Sequence, residues 1–284
     1  MQSVSSTYTD IMANGGWQEV KLVINNVEYG MSDELVTMRT SHSLYDNAVS
    51  VGNTVAGTID VRLIAQSSSI PTMAKLQPYV RATDGTNTSE WLPKGVYWID
   101  TRQYDKESGV LTLTGLDAML MGEQDYCQYG NQGTWPQIDL NVLCDIADRL
   151  DLGTDAYTAV SNPTGNPKSK GWYYKSGSNY YLTSNTSVQS GTTYYVRSNS
   201  GIDSRTLPLI SNHYQVGYPG IGEGAYTVRE VLGYIGSMYA GNWIINEDGK
   251  LRLIVIGDLP AESNYLITEG GDIITIGGDR LVMI

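Results

Sequence analysis

Residues 91–118 read WLPKGVYWIDTRQYDKESGVLTLTGLDA, and this stretch decides the fold class. Val96, Trp98 and Asp100 alternate with Tyr97, Ile99 and Thr101, which is the period of a strand. Asp105-Lys106-Glu107-Ser108-Gly109 is polar and ends in the residue that takes a positive φ at no steric cost, so the chain turns there. Val110-Leu111-Thr112-Leu113-Thr114 returns as a β-rich run. The two runs predict an antiparallel hairpin that closes a β-domain near Gly115. Asp117-Ala118-Met119-Leu120-Met121 then leaves the sheet.

The same period recurs towards the N-terminus. Val20, Leu22 and Ile24 alternate with Lys21, Val23 and Asn25, and Asn25-Asn26 turns the chain into Val27-Glu28-Tyr29. Leu35, Thr37 and Arg39 alternate with Val36, Met38 and Thr40. The segments 58–64 and 75–81 add strands, the second turned back by Asp84-Gly85-Thr86-Asn87. Short strands between polar turns indicate a barrel or a sandwich, and the expectation adopted is an antiparallel β-barrel domain over residues 17–118. Residues 1–16 form an arm, with a short helix near Thr9-Asp10-Ile11-Met12 ended by Asn14-Gly15-Gly16.

Beyond residue 118 the period changes. Asp139 suits an N-cap, and Leu140, Leu143, Cys144, Ala147 and Leu150 follow at helical spacing. Thr227 and Glu230 make a capping box before Val228, Val231, Leu232, Ile235, Met238 and Tyr239. A second hairpin follows, from Trp243 through Asn246-Glu247-Asp248-Gly249 to Ile256. Mainly β overall, the chain thus gains an α+β domain at 119–256, interrupted at 161–205 by a small β insertion. Within it Ser176-Gly177-Ser178-Asn179-Tyr180-Tyr181-Leu182-Thr183-Ser184 reappears as Ser190-Gly191-Thr192-Thr193-Tyr194-Tyr195-Val196-Arg197-Ser198. Two readings stand: a self-packed hairpin whose tyrosines are its own core, or an aromatic platform for a sugar or a neighbouring protein. The candidate contact residues are Trp172, Tyr173, Tyr174, Tyr180, Tyr181, Tyr194 and Tyr195. Residues 257–284 are Gly-rich and end in the apolar Leu281-Val282-Met283-Ile284. They are expected to be a C-terminal β segment, either the start of a second barrel or the front of a longer polypeptide.

Composition narrows the classes. A net charge of −12 over 284 residues argues against gripping nucleic acid by its phosphates, which takes Lys and Arg. No apolar run approaches the roughly 20 residues of a membrane span, so no membrane insertion is expected. Residues 1–16 lack the basic start and apolar core of a signal peptide, which points to synthesis in a cytoplasm. Cys127 and Cys144 make neither a disulfide framework nor a zinc site, and Cys144 reads as a small buried hydrophobe. Phe is absent while Tyr numbers 21, and Tyr97 stands where a core Phe would serve equally well. His42 and His213 read as solvated loop residues. Asp100, Asp105, Glu107 and Asp117 read as surface and turn charges rather than an opposed glycosidase pair. Asp145, Asp148 and Asp151 read as a solvated helix face. Gly220-Ile221-Gly222-Glu223-Gly224 lacks the Lys and the strand–helix setting of a phosphate loop. No catalytic, cofactor or metal residues are expected, and the chain is expected not to be an enzyme.

One resemblance gathers these pieces. Lys94-Gly95-Val96-Tyr97-Trp98-Ile99-Asp100-Thr101-Arg102, Gly109-Val110-Leu111-Thr112-Leu113-Thr114-Gly115 and Asp117-Ala118-Met119 resemble the hub proteins at the tip of phage and prophage tails, the baseplate-hub and tail-associated lysin family. In order along the chain, so do residues 1–8, Val51-Gly52-Asn53-Thr54, Ile70-Pro71, Ala74-Lys75-Leu76, Trp135-Pro136, Gly249-Lys250-Leu251-Arg252-Leu253 and Gly277-Gly278-Asp279-Arg280. The similarity spans most of the chain apart from about residues 160–210. It implies a virion structural protein at the tail tip, assembled in the host cytoplasm as a homotrimeric ring of barrels. The implied partners are copies of itself, the tail tube protein, distal tail and baseplate proteins and the tape measure protein. The aromatic insertion adds a host cell-surface glycan as an alternative partner. Fewer residues follow the second hairpin than a full second barrel needs, which departs from the family pattern.

Overall fold

The computed structural model describes residues 2, 4–31, 34–45, 49–64, 70–126, 135–210, 214–217, 225–256, 275–276 and 279–280. Cys127, His213 and the 220–224 glycine run lie outside them. Contacts divide the chain into two units, Met1–Ile254 and Val255–Ile284.

The first unit opens with helix α1 (Ser6–Ala13), capped by the Ser5 hydroxyl, which accepts from the Tyr8 N–H. Ile11 is buried, and the Ser5 N–H donates to the Glu90 carboxylate at 2.8 Å. The arm therefore docks on its own chain.

Strands β1 (Trp17–Ile24), β2 (Val27–Gly30), β3 (Leu35–Ser41), β4 (Thr58–Ile64), β5 (Lys75–Thr83), β6 (Leu92–Pro93), β7 (Tyr97–Tyr104) and β8 (Val110–Leu116) make one sheet. Its order is β2-β1-β5-β7-β8-β4-β3, with β6 beside β5. Asn25 and Asn26 both take positive φ, 46° and 70°, and form the tight β1–β2 turn that side-chain amides tolerate best. Gly109 takes φ 70° at the end of the β7–β8 turn, where the Asp105 N–H donates to the Val110 carbonyl at 2.9 Å. Pro78 stands where the neighbour of β5 changes from β7 to β6, a gap in the ladder that needs no donor from it.

Burial alternates strictly in β4 and β8. One face thus holds Leu22, Ile24, Ile59, Val61, Leu63, Leu76, Tyr97, Ile99, Leu111 and Leu113, all in a single core cluster. A sheet that buries one face against itself must coil. The closed barrel expected from the sequence is not what forms: among the described residues the strand order is an open path. β2 has four residues, and β3 pairs with β4 instead of β2, so the two ends share no ladder. A bulge between Leu35 and Thr37 also reverses the faces of β3. Past it Met38, not Thr37 or Arg39, packs on the core.

The remainder of the unit is α+β. A 3-10 helix (Ala118–Glu123) leads to β9 (Gln137–Ile138) and α2 (Asp139–Arg149). Strands β10 (Asp155–Ala159), β11 (Tyr173–Ser176), β12 (Asn179–Leu182) and β13 (Tyr194–Asn199) make a second sheet, in the order β10-β13-β11-β12. β14 (Gln215–Val216) pairs with β9. α3 (Val228–Met238) carries the expected capping box of Thr227 and Glu230, and β15 (Gly241–Ile245) and β16 (Leu251–Val255) form the second hairpin. Asp139 is not the N-cap of α2. Ile138 holds that position, and Asp139 is the first helical residue, fully buried. Its carboxylate accepts from the Tyr214 N–H at 3.2 Å and from the Tyr239 hydroxyl, so it ties the helix start to two later segments.

In the second unit, beyond Val255 and Ile256, the described residues are the two-residue strands β17 (Thr275–Ile276) and β18 (Asp279–Arg280), paired antiparallel.

Candidate functional site

The Tyr-rich sheet is built by register. β10 pairs Tyr157 with Arg197, and β11 pairs Tyr173 with Tyr195 and with Leu182. These residues therefore share one face, with Asp155, Asn199 and Tyr180. Tyr157 and Tyr180, on opposite edge strands, stack at 3.9 Å, so the sheet coils until its edges meet over that face. Tyr173 and Tyr195 close the cluster edge-on, at 5.3 Å from Tyr157 and 5.0 Å from Tyr180. These four rings are the core of the sheet.

The same face carries its anchor. Arg197 is buried and reaches three carboxylates. Its Nε donates to Asp155 at 2.7 Å, its Nη2 to Asp148 at 2.6 Å, and its Nη1 to Asp145. Asn199 donates to Asp148 at 2.6 Å and to Asp155 at 3.0 Å. Burial works against the guanidinium charge, but the Asp145 charge and the Asp155 hydrogen bond override it and hold Arg197 firmly protonated. Burial, then the Asp155 charge, pushes the Asp148 carboxyl upward. The expected solvated face thus holds for Asp151, which is exposed, and in part for Asp148, but not for Asp145; Asp145 and Asp148 are where α2 grips the sheet. Sequence spacing showed them on one helix face, but the cation that claims them lies some fifty positions on. Among the described residues no cluster of His, Cys, Asp and Glu is arranged to hold a metal.

The opposite face divides the remaining candidates. Tyr194 is fully buried beneath Trp172, with centroids at 5.6 Å, and its hydroxyl accepts from the Gln189 N–H at 3.1 Å. Tyr174 and Tyr181 are a cross-strand pair, 39% and 46% exposed, with centroids at 5.8 Å. Val196 stands beside them, 37% exposed. Of the seven candidates, Trp172, Tyr173 and Tyr194 are buried, Tyr180 and Tyr195 half-buried, and only Tyr174 and Tyr181 offer open rings.

A second constellation joins the coiled sheet to the α+β part. Asp117 is 1% exposed and accepts from the Gly57 N–H at 2.7 Å and the Met119 N–H at 2.9 Å. Burial pushes its carboxyl up to about 7, against those two bonds and the Arg229 charge. It is a buried joint, not a surface charge, whereas Asp100, Asp105 and Glu107 are exposed. Tyr97 is not interchangeable with Phe, because its hydroxyl meets His42 Nε2 at 2.7 Å and donates to the Lys94 carbonyl at 3.1 Å. His42 keeps one edge open to solvent and packs the other on Gly57 and Tyr97. Burial lowers its pKa, outweighing the Glu247 charge. Arg229 on α3 donates to the Met119 carbonyl at 2.9 Å and to the Thr54 carbonyl. Asn242 accepts from the Asn53 N–H at 2.9 Å and donates to the Leu44 and Ser50 carbonyls. The Gly95 N–H donates to the Glu247 carbonyl at 3.0 Å. Cys144 is buried, and desolvation pushes its thiol up to about 12, which leaves it inert.

The class defined by these features is a mainly β protein with several antiparallel sheets and an anchored aromatic appendage. Among the described residues no helix is long and apolar enough to cross a membrane. No protein-family model matches the chain, and no curated protein matches it. Two solved structures that align with the chain are tail proteins. The 43 kDa tail protein of prophage MuSo2 from Shewanella oneidensis aligns with a TM-score of 0.45 at 10% identity, over 95% of this chain and 72% of that one. The tail protein from Neisseria meningitidis MC58 aligns with a TM-score of 0.40 at 12% identity, over 90% of this chain and 53% of that one.

Proposed function

We propose that the chain is a structural subunit of a phage tail tip, a hub in which three copies close a ring at the end of the tail tube. The ring joins the tube and the tape measure protein to distal tail and baseplate parts, and opens for DNA passage. It performs no catalysis of its own. The observation that carries this reading is where the hub-like pieces of sequence fall. Gly52-Asn53-Thr54, Lys94-Gly95 and Asp117 are distant in sequence and meet at one joint with the α3–β15–β16 element, where Gly249 also stands against Val96. Gly52 N–H bonds the Gly241 carbonyl at 2.9 Å, Trp243 N–H bonds the Asn53 carbonyl at 2.8 Å, and Gly95 bonds Glu247. The resemblance thus marks the sheet side of the joint that locks the coiled sheet to the α3–β15–β16 element, which a ring subunit under tension needs rigid. Light scattering on the purified chain tests it: a mass of three times 31.1 kDa supports the ring. A monomer that also fails to bind tail tube protein counts against it.

The exposed Tyr174–Tyr181 pair favours a second reading, a glycan-binding adhesin working through the insertion. Two open rings on a rigid sheet suit the apolar face of a sugar. Tyr174→Ser with Tyr181→Ser separates the readings. An adhesin loses glycan binding, whereas a hub keeps its mass and its tube contact. A deletion over 168–200 is a poorer test, since it removes Arg197 and leaves three carboxylates uncompensated.

A further inference from the structure

We propose that the cleft between the Lys94–Gly95 loop and the β15–β16 hairpin binds one small oxyanion, of the carboxylate or phosphate class. The cleft is a cavity of about 340 Å³ whose polar lining includes Gln2, Thr40, His42, Lys94, Glu247 and Arg252. At roughly 30 Å³ for each water, that volume holds a hydrated phosphate or acetate with room to spare.

Arg252 makes the case. It sits on β16 between Leu251 and Leu253, both buried, and is itself half-buried, so part of the side chain meets the cavity while its inner end is enclosed. Its Nε is buried and has no hydrogen-bond partner. Among the described residues no carboxylate lies within ion-pair distance of it, whereas Arg81, Arg197, Arg205 and Arg229 each hold at least one. Burial, and then the charge of Arg205, push its pKa down, so the site disfavours the cation as it stands. An orphaned buried donor is costly, and more so when charged, unless a ligand or water takes it. A guanidinium presents its N–H groups as a fork that fits a planar or tetrahedral oxyanion.

The neighbours complete a receptor. Lys94 donates to Gln2 Oε1 at 2.9 Å, and an ammonium has three N–H donors to place. Gln2 is steadied in turn by its bond to the Pro93 carbonyl at 2.9 Å. Glu247 also lines the cavity and sets its limit. Its carboxylate lies 3.6 Å from Arg205 Nη2, and Arg205 is held chiefly by Asp203. One anionic group can therefore be balanced by Arg252 and Lys94, while a polyanion is repelled by Glu247.

The test uses the full chain and inorganic phosphate, acetate and tripolyphosphate, each against chloride at matched ionic strength. Thermal melting and calorimetry are read together. Phosphate or acetate should raise the melting temperature saturably, and whichever does so identifies the class. Arg252→Gln should weaken that binding about tenfold or more, the loss of one charge-assisted donor set. Lys94→Gln should weaken it less, and Arg62→Gln on the exposed face of β4 should leave it unchanged. Should Arg252→Gln fail to fold, Arg252→Lys keeps the charge without the fork, and phosphorus NMR line broadening on the wild type reads binding directly. The proposal is overturned by a wild type that shows no saturable binding of either anion. It is equally overturned by binding unaltered in the Arg252 variant, or by tripolyphosphate binding tighter than phosphate.

Discussion

Replacing Arg197 by Met tests how the Tyr-rich sheet is held. Met keeps most of the apolar stem and removes the charged fork, so the change isolates the ionic anchor from packing. Three carboxylates then lose their cation. Removing one partner of a buried ion pair costs about 3–5 kcal/mol. The Asp145 and Asp155 side chains are 13% and 21% exposed and weigh fully in that figure, but Asp148, at 40%, is partly rescued by water. The lower end, about 3 kcal/mol, is the expected loss. For a chain of this size it corresponds to a melting temperature lower by roughly 6–12 °C. Near-ultraviolet circular dichroism during melting follows the stacked tyrosines directly. The deficit should also depend on pH. Without the guanidinium, the folded variant relieves the crowding of carboxylates by binding protons that the unfolded chain, above about pH 4, does not hold. Its stability therefore falls as pH rises, and the gap to wild type is wider at pH 8 than at pH 5. Adding Asp145→Leu and Asp148→Asn should restore part of the loss, since an apolar or neutral contact carries no desolvated charge. A loss under about 1 kcal/mol, the scale of a surface pair, would refute the anchor, as would a deficit equal at both pH values.

Asp117, with a carboxyl raised to about 7, binds a proton in the fold that it has lost when unfolded. Wild-type stability should therefore decline between about pH 4 and pH 7, and Asp117→Asn should flatten that slope in a urea titration, whatever its constant offset. Tyr97→Phe removes the hydroxyl shared by His42 and the Lys94 carbonyl, and should cost about 1 kcal/mol in chemical denaturation. Gly95→Ala should cost more, because φ is +116° there and a Cβ would stand 2.5 Å from the buried Tyr97 hydroxyl oxygen. A melting temperature unchanged from wild type would contradict that packing. Tyr174→Ser with Tyr181→Ser should move stability by less than about 1 kcal/mol, since both rings are open, and any larger loss would mean that they are core.

Local chemistry was legible wherever neighbours in sequence are neighbours in space. The hairpin at Asp105–Gly109, the Asn25-Asn26 turn, the capping box at Thr227 and Glu230 and the 241–255 hairpin are fixed by residues a few positions apart, and each stands where its sequence placed it. What failed were inferences that needed a partner from far along the chain. Asp145 and Asp148 looked solvated because Arg197 is brought to them only when β13 docks on α2. Asp117 looked like a turn charge until Gly57 folded over it, and Tyr97 looked like a Phe until His42 reached its hydroxyl. The alternation of Leu35, Thr37 and Arg39 was broken by a bulge that no periodicity announces. The strand pattern also could not tell an open coiled sheet from a closed barrel, because both bury one face of every strand and differ only in whether the end strands pair. By itself the sequence determined the β character, the turns, the capping box of α3 and the aromatic repeat, all set by backbone preference and side-chain period, but it misplaced the N-cap of α2 at Asp139. Tertiary structure alone decided which charges are buried, which tyrosines stay open and that the Arg252 Nε is enclosed without a partner, because desolvation and long-range pairing are properties of the folded chain.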